Sequence, residues 1–236
     1  RIYSIRFDVM NILNHFELPY LENKITVIGS NTGGGKSSVL EYIILEHMQK
    51  GFNCLYVGEV DSRYFFNRIK RKKEQIPYKT KSNNGNLFYL YNDNIELIEE
   101  LVKRNKIQSI FFDDYVGYPK KTKNKKILLT EKTIKKLAIT IKNKREEIMD
   151  SMTLIKHISD ICDVSCYVSI NLTKRLNSGL GILPMSESTI DITVILSDVY
   201  MSVSKTNGFN NEFNGKINLI KNRIGRETDN YLKIKL

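Results

Sequence analysis

The chain has 236 residues, of which 41% are hydrophobic and 27% charged, with 13 Gly, 4 Pro and 3 Cys; this excludes collagen-like, disordered and disulfide-framework classes and leaves a globular chain able to bury a core. Lys and Arg number 37 against 26 Asp and Glu, a net charge of +11, which points to a polyanionic partner. No apolar run reaches the roughly 18 residues of a membrane span, and Cys54, Cys162 and Cys166 fit a reducing compartment, so a cytoplasmic location is expected.

Residues 1–20 read as a lead-in or linker, and a start at Arg1 rather than Met reads as a fragment of a longer protein. Strand-like runs at 25–29, 54–58, 109–113, 166–171 and 193–197 alternate with helix-like segments at 37–50, 94–104 and 153–162. That alternation predicts an α/β fold with a mostly parallel sheet covered on both faces. The runs 200–204, 216–221 and 231–236 flank Asn- and Gly-rich turns, which predicts antiparallel strands at a C-terminal sheet edge. With no internal repeat and no linker to divide it, 1–236 reads as one domain.

The sharpest local signal is Gly29-Ser30-Asn31-Thr32-Gly33-Gly34-Gly35-Lys36-Ser37-Ser38, set between a strand-like run and a helical segment. Glycines let a backbone wrap a phosphate with its N–H groups inward, and the following helix N-terminus adds a positive dipole end. Lys36 brings a cation to the β and γ phosphates of a nucleotide, and Ser37 offers a hydroxyl to Mg2+. The loop is one residue longer than G-x-x-x-x-G-K-[ST], with Ser30 in the usual first-Gly place. Hydrolysis also needs a metal carboxylate and a group that activates water, at the ends of neighbouring strands. The run 110–112 ends in Asp113 and Asp114, either of which suits the metal. Glu59 follows the strand at 54–58 as candidate base, with Asp61 as the other candidate. Asn171 closes a strand with an amide able to sense the γ phosphate, whereas His15, His47 and His157 lack ligand spacing and read as ordinary core or surface residues.

Together these motifs resemble the RecA-like motor domain of hexameric replicative DNA helicases, the DnaB family, most closely its T-even-phage-like branch. The resemblance spans nearly the whole chain through GSNTGGGKSS, QKGFNCLYVGEV, IFFDDYVGY, SINLTKR and INLIKNRIGR, in that order. It implies ATP and Mg2+ as ligands, Glu59 as the catalytic glutamate and Asp114 of the Asp114-Tyr115 pair as the metal carboxylate. It further implies that Lys221 and Arg223 are cationic fingers acting on a nucleotide held by the neighbouring subunit. The partners it implies are further copies of the chain in a hexameric ring, single-stranded DNA, and a primase or helicase loader; the location is the host cytoplasm for a phage-encoded chain. Two positions depart from the family's usual residues: Asn171 stands for Gln, and Gly-Glu-Val at 58–60 stands for Leu-Glu-Met. Nothing matches the family's N-terminal domain. A RecA-type recombinase or other filament-forming ATPase shares these motifs, and a nucleotide-binding scaffold or loader is the alternative from another class.

The positive charge is segregated. Residues 63–81 hold eight basic residues and one acidic, and residues 119–147 hold eleven against three. Such clusters suit salt-sensitive contacts with a nucleic-acid backbone, and equally suit solvated helix faces. The segment 174–189 occupies the position of the family's central-channel loop, which makes Lys174 and Arg175 the expected DNA contacts.

Overall fold

The computed structural model describes residues 12–20, 23–31, 33–75, 84–91, 97–114, 144–172, 196–205, 215–223 and 231–234. In chain order they form α1 (Ile12–His15), β1 (Ile25–Asn31), α2 (Lys36–Gln49), β2 (Cys54–Gly58), α3 (Ser62–Gln75), β3 (Leu87–Tyr91) and α4 (Ile98–Asn105). β4 (Ser109–Phe112), α5 (Lys144–Cys162), β5 (Ser165–Leu172), β6 (Val199–Lys205), β7 (Gly215–Asn222) and β8 (Tyr231–Ile234) follow. The strands make one eight-stranded sheet in the order β3-β2-β4-β5-β1-β6-β7-β8. Pairing is parallel from β3 to β6 and antiparallel from β6 through β8. The expected α/β architecture with an antiparallel C-terminal edge is therefore the one adopted.

Every residue of β2 and β4 is buried, as in strands covered on both faces. Their side chains alternate between two cores. Cys54, Tyr56 and Phe111 face one, shared with α1, α2 and α3, while Leu55, Val57, Ile110 and Phe112 face the other, shared with α4 and α5. Among the described residues no helix is long and apolar enough to cross a membrane.

α2 is buried on all sides from Val39 to Met48, including Glu41, Glu46 and His47, the pattern of a helix inside the core. His47 is a core residue, bonded to Ser109 Oγ at 2.9 Å and Tyr167 Oη at 3.0 Å, and burial lowers its pKa to about 3. Glu46 accepts the N–H groups of Ile12 and Leu13, which ties α1 to α2. Burial pushes the Glu46 carboxyl up to about 8, against those two bonds and Lys50. Because this lies above the unfolded value of about 4.3, folding favours the protonated form; that contribution is complete below the unfolded pKa and is lost as pH rises through the folded one. Urea unfolding is therefore expected to show stability falling from about pH 5 to about pH 9, by a few kcal/mol from this group. Glu46→Gln should flatten the slope, and an unchanged slope would refute the assignment.

α3 forms where the sequence showed only a basic cluster. Asp61 caps it, accepting the N–H groups of Arg63 at 2.9 Å and Tyr64 at 3.2 Å, and Phe65 and Ile69 reach the core. Two cations of the cluster turn inward: Arg68 and Lys72 pair with the buried Glu41, Lys72 at 3.6 Å. They hold α3 to α2 and are unavailable to a polyanion. β3, not foreseen, lies at the sheet edge beside β2. β6 pairs antiparallel with β7 as expected, and it also pairs parallel with β1, so it joins the parallel core to the antiparallel edge. Leu196 and Ser197, expected in a strand over 193–197, lie outside the strands; 193–195 are outside the described residues.

Candidate functional site

Parallel strands in register bring their C-terminal ends to one edge of the sheet. Val57 lies opposite Phe112, Phe112 opposite Val168, and Ser30 opposite Asn171. The glycine-rich loop, Glu59, Asp113, Asp114 and Asn171 therefore meet at that edge, the place where open α/β sheets bind ligands.

The loop turns on Gly33 (φ 73) and Gly35 (φ 98), both in the left-handed region that side chains rarely adopt. Gly35 is also the N-cap of α2. Gly34 is required by close approach: its N–H donates to the Asn31 carbonyl at 2.8 Å, and a Cβ there would lie 2.0 Å from Ser30 Oγ. Ser30 Oγ donates to the Asn31 carbonyl at 2.8 Å, so the residue in the usual first-Gly place braces the loop from within. Gly29 belongs to β1, Ser38 to the first turn of α2, and Thr32 lies outside the described residues.

The first turn of α2 supplies the charged groups. Lys36 is buried, with Nζ 3.1 Å from Asp114 Oδ1. Asp113 Oδ1 accepts hydrogen bonds from Ser37 Oγ at 3.0 Å and Ser169 Oγ at 2.6 Å, and Oδ2 accepts one from Tyr56 Oη at 2.8 Å. Burial, reinforced by Asp113, keeps the Tyr56 phenol far above its ordinary pKa, so it remains a donor. Ser169 Oγ also accepts the N–H of Asp114 at 2.9 Å. Asp114 sits at φ 55; burial raises its carboxyl above the usual carboxylate value, opposed by Lys36 and by a hydrogen bond from Asn171. Two adjacent carboxylates thus do different things. Asp113 is joined to the Ser37 hydroxyl, and Asp114, which the resemblance singled out, is joined to Lys36 and Asn171.

This donor set fits Mg2+ shared with a nucleotide. Mg2+ takes one or two carboxylates together with phosphate oxygens and water rather than an all-protein cage. Ser37 and Asp113 offer a hydroxyl and a carboxylate, and among the described residues no group of three or more His, Cys, Asp or Glu forms a cage.

Glu59 follows β2 at the same edge and is exposed. Asp61, the other candidate base, has its carboxylate engaged as the cap of α3, which favours Glu59. Lys221 and Arg223 are not brought to this edge. β7 runs back against β6, so Asn222 lies opposite Val199, and the Arg223 N–H donates to the Asp198 carbonyl at 2.9 Å, level with the start of β1. The seven residues of β1 put about 20 Å between that end and the loop. Lys221 Nζ donates to the Ser197 carbonyl at 2.6 Å, and burial, followed by the charge of Arg223, lowers its pKa. Tyr115, Lys174 and Arg175 lie outside the described residues.

Sequence reasoning did not pick out Tyr56 and Ser169. Each is a hydroxyl within an apolar strand, two residues before a polar or glycine strand end, and that interruption is the signal that could have found them.

Among solved structures, a KaiC-like protein from the hyperthermophilic archaeon Pyrococcus horikoshii OT3 is similar, with a TM-score of 0.58 over 91% of this chain and 86% of that chain, at 14% identity. The fold is the RecA-like P-loop arrangement. No protein-family model matches the sequence, and no curated protein does.

Proposed function

We propose that this chain is the ATP-hydrolysing motor domain of a ring-forming replicative DNA helicase, of the DnaB type and its T-even-phage-like branch, with 1–236 as one domain. The observation that carries the reading is the division of the site between two sheet edges. The glycines at 33–35, Lys36, Asp113 and Asp114 lie at one edge, while Lys221 and Arg223, the cations proposed to act on the transferring phosphoryl group, stand at the other. On this reading a second copy brings them together in a head-to-tail arrangement, which makes a ring when the rotation between copies closes.

In this reading the loop N–H groups and Lys36 would hold the β and γ phosphates, and Asp113 and Ser37 would hold Mg2+, which would neutralise phosphate charge. Glu59 accepts a proton from the attacking water. Asn171, hydrogen-bonded to Asp114, reports γ-phosphate occupancy toward the following segment, where Lys174 and Arg175 contact single-stranded DNA. Lys221 and Arg223 enter from the neighbour. A primase or loader is a further partner on this reading.

ATP turnover with and without single-stranded DNA, paired with sedimentation in an ATP analogue, tests it. Stimulated turnover and a hexamer-sized species are expected; strand exchange on an open filament would favour a recombinase, and absent turnover a nucleotide-binding scaffold. Glu59→Gln should retain nucleotide affinity and lose on the order of 10²- to 10⁴-fold in turnover. Loss of binding instead would remove Glu59 from the role of base.

A further inference from the structure

Two tyrosines outside the loop touch both halves of the catalytic edge. Tyr56, on β2, donates to Asp113 Oδ2 at 2.8 Å. Tyr89, on the neighbouring strand β3, places its hydroxyl against the carbonyls of Gly58 at 3.2 Å and of Val60, the residues that flank Glu59. The two rings pack together with centroids 5.8 Å apart and planes 26° from parallel, and Phe65 of α3 stacks on Tyr56 at 3.8 Å. Gly58 makes this possible: a Cβ there would lie 2.7 Å from Tyr56 Cε1 and 2.9 Å from its hydroxyl. The glycine before Glu59 is thus the space through which Tyr56 reaches Asp113.

We propose that Tyr56 and Tyr89 are positioning residues that brace the nucleotide site, Tyr56 orienting the metal carboxylate Asp113 and Tyr89 holding the backbone on both sides of Glu59, so that the two carboxylates keep a fixed spacing. This rests on the roles given above to Asp113 and Glu59. The hydroxyl of Tyr56 uses the carboxylate oxygen that Ser37 does not, leaving Oδ1 to Ser37 and Ser169, on the side where Asp113 and Ser37 would hold Mg2+. The segment 59–60 has no strand pairing of its own, and the Tyr89 hydroxyl supplies the fastening that a strand would otherwise give. Groups of this kind behind a metal ligand typically change metal affinity or activity by roughly 10- to 100-fold when removed.

Phenylalanine variants keep the stacked rings and remove only the hydroxyls. Tyr56→Phe is expected to raise the Mg2+ concentration that half-saturates the Mg2+-dependent gain in affinity for a fluorescent ATP analogue by roughly 10-fold, with affinity in EDTA unchanged and the thermal midpoint lowered by several degrees, because the buried Asp113 oxygen loses its donor. Gly58→Ala should reproduce that shift. Tyr89→Phe should leave both affinities unchanged and lower kcat roughly 10-fold; in a Glu59→Gln background it should cost nothing further, because the group it positions is gone. An unshifted Mg2+ midpoint in Tyr56→Phe, or an equal Tyr89→Phe loss with and without Glu59, overturns the brace while wild-type Mg2+-dependent binding leaves the site assignment standing. If the wild-type protein shows no Mg2+-dependent gain in nucleotide affinity, the site reading and the brace fall together.

Discussion

Lys36→Ala is expected to bind ATP poorly and to hydrolyse it on the order of 10²- to 10³-fold more slowly, or not at all. The reason lies in where the ammonium sits. Lys36 is buried at the first turn of α2, directly after the glycines of the loop, and its ammonium is paired with Asp114 at this edge. Removing it takes away the charge that offsets phosphate against two neighbouring carboxylates. Asp114 is partly exposed, so water replaces the lost partner and the thermal midpoint should hardly move. Phosphate-release assays with nucleotide titration and a melting curve check this, and wild-type-like turnover would overturn the site.

Arg223→Ala should be as severe in turnover, on the order of 10³-fold or more for a lost arginine finger, yet with nucleotide binding retained by each separate chain. The distinguishing result comes from mixing. A chain with Arg223→Ala keeps its phosphate loop, and a chain with Lys36→Ala keeps its fingers, so random assembly of equal amounts makes about a quarter of the interfaces whole. Turnover should rise well above either variant alone. Flat activity at every mixing ratio would show that each chain completes its own site, which the opposite-edge placement of Lys221 and Arg223 argues against.

The parallel core and the phosphate loop were legible because their signals are local: apolar runs of strand length, and glycines followed by Lys36 and Ser37. α3 was hidden because Arg68 and Lys72 read as solvated charge, and only the burial of Glu41 on another helix explains their direction. The parallel pairing of β6 with β1 was not legible, because it depends on the order of strands in the sheet and not on the turns that follow β6. The division of labour between Asp113 and Asp114 follows from strand alternation: Phe111 faces the α2 side, so Asp113 does as well, while Asp114 leaves the strand in a left-handed turn. A pair of adjacent carboxylates alone does not show which one turns inward. The glycine at 58 has a steric cause that lies in a neighbouring side chain, the ring of Tyr56.

α2 carries a mechanical consequence. Its 14 residues make a rod about 21 Å long, with the glycine-rich loop at one end and, near the other, Glu46 clasping the start of α1. A displacement of either end of this rod would be passed along it to the other, and Ile12 and Leu13 would follow. The segment at 12–15 is thus joined by hydrogen bonds to the helix that begins at the glycine-rich loop, so one rigid element links the two.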